Sequence, residues 1–235
     1  MKKDLKHIAF IPDGNRRWAK EAGLLQIEGH RRGYDNLKNV VQWCLDREIK
    51  EVSFWGFSTE NWKRTKEEVG YLMDLFLRML SKDLEEFSKK GFRLKVIGRR
   101  SDLSENLQKA IAHAEEFTKD NTAGQLNLCF NYGGRPEILE ATKQCLREGL
   151  DPESLSEEEF AQRLWSSPIS DIDLIVRTSG EQRLSGFQPW KGNYSELYFV
   201  QNHWPAFNED DLDDAIDFYN GRDRRFGGNS TSLRT

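Results

Sequence analysis

The chain lacks the features that mark several large functional classes. No apolar stretch approaches the roughly 20 residues that span a bilayer. The apolar run after the charged start Met1-Lys2-Lys3-Asp4 is too short for the core of a secretory signal, so a cytoplasmic protein without a transmembrane segment is expected. Cys44, Cys129 and Cys145 are odd in number and show no metal-ligand spacing, which reads as free thiols in a reducing compartment. His7, His113 and His203 show no ligand spacing either. The 35 Lys and Arg nearly cancel the 39 Asp and Glu, leaving a net charge of -4 and no global field to draw a nucleic acid. A basic site must therefore be local. There is no Gly-x-x-x-x-Gly-Lys-Ser/Thr loop, no Gly-x-Gly-x-x-Gly after the first apolar run, no nucleophile elbow and no His-Glu-x-x-His, which disfavours standard nucleotide and hydrolase sites. No repeat or low-complexity linker divides the 235 residues. They fit one domain over 1–228 followed by a flexible tail at 229–235.

What is present is a regular alternation. Apolar, β-rich runs occur at 7–12, 51–57, 92–98, 125–132, 173–177 and 196–200. Between most of them lie helical patterns. Residues 30–48 put Tyr34, Leu37, Val40, Val41, Cys44 and Leu45 on one face. Thr65-Lys66-Glu67-Glu68 reads as a capping box that opens one long amphipathic helix ending at Gly91. Further helices are expected at 104–119, at 136–148 with Pro136 in the first turn, at 157–165 after Ser156, and at 209–219 after Asn208. The acidic run Asp210-Asp211-Leu212-Asp213-Asp214 spells Asp-Asp-x-x-Asp, a magnesium motif of all-helical prenyltransferases. Acids directly after an N-cap are what a helix dipole favours, and alternating strands contradict an all-helical fold. The expected architecture is single-domain α/β, with a central, mostly parallel six-stranded sheet and helices on both faces.

Such sheets bind ligands beyond the carboxyl ends of their strands. The polar chemistry of this sequence collects there: Asp13-Gly14-Asn15-Arg16-Arg17 after the first strand, Ser58 to Arg64 after the second, Asn131 to Arg135 after the fourth, and Arg177 to Arg183 after the fifth. A carboxylate at a strand end, a glycine that lets backbone approach a ligand, and two arginines with fork-shaped donors point to a metal and a polyphosphate.

The motifs Asp13-Gly14-Asn15-Arg16-Arg17-Trp18-Ala19, Gly29-His30, Phe57-Ser58-Thr59-Glu60-Asn61-Trp62, Asn131-Tyr132-Gly133-Gly134, Arg177-Thr178-Ser179-Gly180-Glu181, Glu196-Leu197-Tyr198-Phe199 and Arg224-Arg225-Phe226-Gly227-Gly228 together resemble the cis-prenyltransferases, the undecaprenyl diphosphate synthase family. The resemblance runs in order from about residue 7 to residue 228. It implies an enzyme that joins isopentenyl diphosphate to an allylic diphosphate such as farnesyl diphosphate, with magnesium as cofactor. It also implies a homodimer, with peripheral membrane contact through an amphiphilic product and no nucleic-acid partner.

By position, the resemblance makes Asp13 the magnesium and diphosphate carboxylate and Glu196 a second metal ligand, from the same or the partner site. Asp13 and Asn61 become the catalytic pair. Gly14, Asn15, Arg16, Arg17 and Trp18 would hold the allylic diphosphate, with His30 nearby. Arg177, Arg183, Leu184 and Ser185 would serve isopentenyl diphosphate, and Ser58, Thr59, Glu60, Trp62 and Arg64 would line the space where the substrates meet. An amide is a very weak base, so Asn61 is expected to orient while a phosphate oxygen or water takes the proton. Trp55, Phe57, Met73, Phe76, Leu126, Leu128 and Phe130 are candidates for an apolar channel or for ordinary core. Simpler roles stand beside these: a turn cap for Asp13, a solvent-facing helix residue for His30, a loop wedge for Trp62, the capping box for Glu68, and a solvated turn for Arg99 and Arg100.

Some positions depart from the commonest family pattern. Arg16 and Ser179 stand in place of glycines, Gln26 in place of an arginine, and Gln182 in place of a histidine associated with the metal. Arg16 is expected to compensate electrostatically for Gln26. Two other readings are a non-catalytic partner subunit of the same fold, which the presence of Asp13 disfavours, and a phosphate-binding α/β protein of another class.

Overall fold

The computed structural model describes residues 4–223, so the motif at 224–228 and the tail at 229–235 lie outside the described residues. Six strands, β1 (His7–Ile11), β2 (Glu51–Ser58), β3 (Phe92–Ile97), β4 (Gly124–Tyr132), β5 (Leu174–Arg177) and β6 (Glu196–Phe199), form one sheet in the order β3-β4-β2-β1-β5-β6. Every neighbouring pair is parallel, so the expected mostly parallel sheet is wholly parallel.

Side-chain alternation explains how this sheet is covered on both faces. Ile8 and Phe10 of β1, Val52 and Phe54 of β2, and Leu174 and Val176 of β5 enter the larger core. Ala9, Ile11 and Ile175, one residue out of step, enter a smaller core with Ile169, Ile172 and Phe187 from the segments flanking β5. The connection after β1 runs toward β2 and the one after β5 runs toward β6, so the connections leave these two parallel neighbours toward opposite sides of the sheet. A crevice at their carboxyl ends is the place where open α/β sheets hold ligands. β2 adds a bulge around Gly56, where its register with β4 shifts between Trp55 and Ser58.

Eight helices are present among the described residues: α1 (Asn15–Glu21), α2 (Gln26–Asp46), α3 (Lys66–Met79), α4 (Leu84–Lys89), α5 (Glu105–Phe117), α6 (Gly134–Glu148), α7 (Glu157–Ala161) and α8 (Glu209–Gly221). α1 follows directly on the turn at Pro12 to Asn15, where the sequence pattern predicts no helix. Gly14, at φ 97°, is both the last turn residue and the N-cap, so turn and helix share the same few residues. α2 starts at Gln26, before the expected residue 30, and the exposed Leu25 and Ile27 obscure this first turn in the amphipathic pattern. α7 stops short of 165.

The single long helix expected over 65–91 is two helices. Ser81 Oγ donates back to the Leu77 carbonyl at 2.7 Å, a bond that bends helices. Asp83 is drawn toward α2, accepting from the Tyr34 hydroxyl at 2.6 Å and pairing with Lys38 at 3.1 Å. Tertiary partners thus end a helix that the local sequence would continue. The capping box at Thr65 is only half present: Thr65 Oγ1 accepts from the Glu68 N–H, but the Glu68 carboxylate goes elsewhere. The acidic run of α8 is structural. Asp211 and Asn208 cap reciprocally, and Asp213 pairs with Arg47.

Phe87 on α4 is 1% exposed within the larger core. Phe87→Ala is expected to cost about 3–5 kcal/mol of unfolding free energy in a denaturant titration, without changing turnover per folded molecule. A loss below about 1 kcal/mol would show that α4 packs loosely.

Candidate active site

β1 and β5 are registered with Ile11 opposite Arg177, which puts Asp13, two residues past Ile11, within reach of the Arg177 guanidinium. Arg177 Nη2 donates to Asp13 Oδ2 at 2.9 Å, and Arg17 Nη2 approaches Asp13 Oδ1 at 3.3 Å. The Gly14 N–H donates to the same Oδ1 at 2.8 Å. The Thr178 hydroxyl bridges the turn, accepting from the Asp13 N–H at 2.9 Å and lying 2.8 Å from its carbonyl. Burial alone would raise the Asp13 carboxyl, but the bond and charge of Arg177, with Gly14 and Arg17, hold it below the usual carboxylate range. Asp13 is an ionised carboxylate facing a cleft.

That cleft has a volume of about 720 Å³ and five arginines in its lining: Arg16, Arg17, Arg64, Arg177 and Arg183. Gly14, Asn15, His30, Ser58, Glu60, Asn61 and Ser185 also line it. Arg177 is held on its other side by Ser185 Oγ at 3.0 Å and by the Arg183 carbonyl. Asn61 Oδ1 accepts from the Ser58 N–H at 3.0 Å, capping the short 3₁₀ turn Thr59–Lys63, which leaves its NH₂ as the group available to a ligand. Below the cleft lies a narrow apolar pocket of about 100 Å³ walled by α2 and α3. The two cavities share Pro12, Asn15, His30, Gly56 and Leu72, so the bulge of β2 stands at their junction.

Other expected site residues fall outside the cleft lining. Trp18 lies on α1, and Leu184 packs against the smaller core. Thr59 sits in the 3₁₀ turn, and Trp62 is 42% exposed, with Nε1 donating to Asn131 Oδ1 at 2.8 Å and its ring edge-on to Phe57. Glu196 begins β6, paired with Leu174 at the opposite edge of the sheet, and its carboxylate accepts from Arg222 Nε at 3.0 Å. One chain therefore does not bring Glu196 to Asp13. Of the channel candidates, Phe76, Leu128 and Phe130 line the apolar pocket and Trp55 lines the cleft, while Phe57 and Leu126 are buried in the larger core and Met73 packs against it.

Two carboxylates were not singled out by their sequence pattern. Glu68, 8% exposed, accepts from His30 Nε2 and Arg64 at 3.0 Å each and from Arg16 at 3.5 Å. Its spacing four residues after Arg64 was the available signal, obscured by the apparent capping box. Glu181 pairs with Arg17 at 2.9 Å and with Arg183, joining the arginines on the two sides of the crevice. Arg99 pairs with Asp102 and Arg100 with Glu115, away from the cleft.

Burial pushes the His30 imidazole down, and Arg64 and Arg16 oppose the upward pull of Glu68; His7, fully buried, is lowered in the same way. Unfolded histidines gain protons below about pH 6.5 that the folded ones do not, so stability is full above that value and declines as pH falls. His30→Gln retains an N–H donor and is expected to flatten the decline in unfolding free energy between about pH 7 and 5. An unchanged slope would assign the decline to other groups.

Comparison with known proteins agrees with this geometry. Residues 11–227 match the family model described as "Putative undecaprenyl diphosphate synthase". An isoprenyl transferase from Thermotoga maritima is 46% identical over 95% of this chain and 97% of its own length. A ditrans,polycis-undecaprenyl-diphosphate synthase ((2E,6E)-farnesyl-diphosphate specific) from Legionella pneumophila is 42% identical over 97% of each chain. The crystal structure of lavandulyl diphosphate synthase from Lavandula x intermedia, in complex with dimethylallyl diphosphate, superposes with a TM-score of 0.90 at 36% identity, covering 94% of this chain and 98% of that one. With a family match across nearly the whole chain, the same fold, and a carboxylate and five arginines gathered at one sheet edge, the chain belongs to the undecaprenyl diphosphate synthase family of prenyltransferases.

Proposed function

We propose that this protein is a cis-prenyltransferase that condenses isopentenyl diphosphate with an allylic diphosphate, such as farnesyl diphosphate, to give a cis-polyprenyl diphosphate. The observation that carries the reading is the two-part cavity: an arginine-lined cleft continuous in its lining with an apolar pocket. A substrate with a diphosphate head and a hydrocarbon tail has that division. The relatives named for undecaprenyl diphosphate synthesis from farnesyl diphosphate, and the solved relative holding dimethylallyl diphosphate, support the substrate class.

In this reading Arg16 and Arg17 hold the allylic diphosphate, and Arg177, Arg183 and Ser185 hold the isopentenyl diphosphate, so that the reacting carbons meet over Asn61 and the bulge. As the allylic C–O bond breaks, charge develops on the departing diphosphate, and prepositioned arginines stabilise it without reorganising. The Asn61 NH₂ orients a substrate oxygen. Its carbonyl oxygen, already an acceptor for Ser58, is poorly placed to take a proton, so the proton released from the condensed product goes to a phosphate oxygen or water.

Magnesium fits the donor set. Mg²⁺ takes only one or two protein carboxylates together with substrate phosphates and water. Asp13 is ionised and part-exposed, and Asn15 Oδ1, buried without a partner, is a second oxygen lining the same cleft. Bound there by Asp13, the ion would supply further charge neutralisation on the leaving diphosphate. A share for Glu196 would require the partner subunit's Glu196, in keeping with a homodimer built on the edge near β6, where Tyr194 is 63% and Leu197 37% exposed. The three buried free cysteines suit a cytoplasmic location, with membrane contact arising through the product; no described helix is long and apolar enough to cross a membrane.

Incubation with radiolabelled isopentenyl diphosphate, magnesium and farnesyl or geranyl diphosphate is expected to give extended prenyl products that vanish on chelation and fall by orders of magnitude per folded molecule in Asp13→Ala, a variant that also loses stability because Asp13 is the partner of the buried Arg177. Absence of product with every starter would favour a non-catalytic subunit. In Arg183→Ala the KM for isopentenyl diphosphate is expected to rise more than that for the allylic substrate. The opposite order would exchange the two subsites.

A further inference from the structure

Three segments distant in sequence meet behind Gly14. His203, between β6 and α8, places Nε2 3.1 Å from Glu21 Oε1 in the last turn of α1. A carboxylate accepts, so Nε2 carries the proton and Nδ1 is left to accept the hydroxyl of Ser179, with which it is hydrogen-bonded. Ser179 has φ 79°, a left-handed conformation that glycine adopts freely and serine does not. Serine is held there by His203 through its side chain and by the Asn202 carbonyl, 2.8 Å from its N–H.

The pair forms the wall on which the Gly14 turn rests. A Cβ at Gly14 would collide with Ser179 Oγ and lie 2.6 Å from His203 Nδ1. From Gly14 the chain enters α1, which carries Arg16 and Arg17, and the Ser179 carbonyl accepts from Arg17 Nη1 at 3.4 Å. The pair and Glu21 thus hold α1 at both ends. Arg177, by contrast, is fixed by Asp13, Ser185 and the Arg183 carbonyl, and its side chain makes no hydrogen bond to Ser179 or His203.

Resting on the reading of the cleft as two diphosphate subsites, we propose that Ser179 and His203 are positioning residues for the allylic one: their hydrogen bond, anchored on Glu21, sets the direction of α1 and so aims Arg16 and Arg17. They act as one unit.

The test is a double-mutant cycle on the full chain with Ser179→Gly, which suits the backbone, and His203→Leu. Each is expected to raise the allylic KM about fivefold while kcat and the isopentenyl KM stay within about twofold, and the double variant is expected to be no worse than the worse single. Additive effects, equal rises in both KM values, or no change would overturn the proposal. Titration with inorganic pyrophosphate, followed by calorimetry, separates this idea from the functional reading. If the unaltered protein makes no prenyl product, that reading falls, while weaker pyrophosphate binding in both variants would still support the positioning role and equal binding would overturn it. Failure of the unaltered protein to bind pyrophosphate would overturn both.

Discussion

The ion pair between Asp13 and Arg177 is the constraint on which the cleft depends. The Arg177 side chain is 5% exposed and its Nε has no partner, so its charge is tolerable only beside a fixed carboxylate. Around this pair, five arginines share three carboxylates: Asp13 takes Arg177 and Arg17, Glu68 takes Arg64 and Arg16, and Glu181 takes Arg17 and Arg183. Each cation is held in place by an acid, yet the cations outnumber the acids. With Glu60 also in the lining, the cleft still holds an excess of fixed cationic charge, an arrangement preorganised for anions.

Much of the fold was legible because strands buried on both faces announce themselves as apolar runs, and all six expected strands are present. The cleft was legible for a related reason. In a parallel α/β sheet the carboxyl ends converge, so Asp13, Asn61 and Arg177, scattered in sequence, lie at one edge by topology. What was hidden depends on tertiary contact. The break between α3 and α4 follows from Asp83 reaching Tyr34 and Lys38, residues on another helix. Glu68 looked satisfied by a cap, and only packing of α2 against α3 shows that it joins His30 to two arginines. Glu196 shares a motif with Tyr198 and Phe199, but strand direction carries it to the far edge.

Gln26, Gln182, Arg16 and Ser179 take on physical meaning in this setting. Gln26 and Gln182 are exposed and stand outside the cleft lining, whereas Arg16 lines it and reaches Glu68. The start of α1 thus brings cationic charge to the cleft, and the start of α2 does not. Ser179 and Gly14 show the same interdependence at the backbone: the serine occupies a glycine-like conformation, and the glycine leaves the room that serine and His203 use.

The placement of β1 between β2 and β5 also governs the order in which the molecule can be assembled. Asp13 and Arg177 are 164 positions apart, so during synthesis β1 waits for one of its two neighbours until β5 has been made. Until then β1 is an unpaired edge, and closing so long a loop is slow. The anion-binding cleft is therefore among the last features to form. A truncated chain that has folded its first four strands would possess a sheet, a hydrophobic core and the arginines Arg16, Arg17 and Arg64, but neither the Arg177 that pairs with Asp13 nor Arg183.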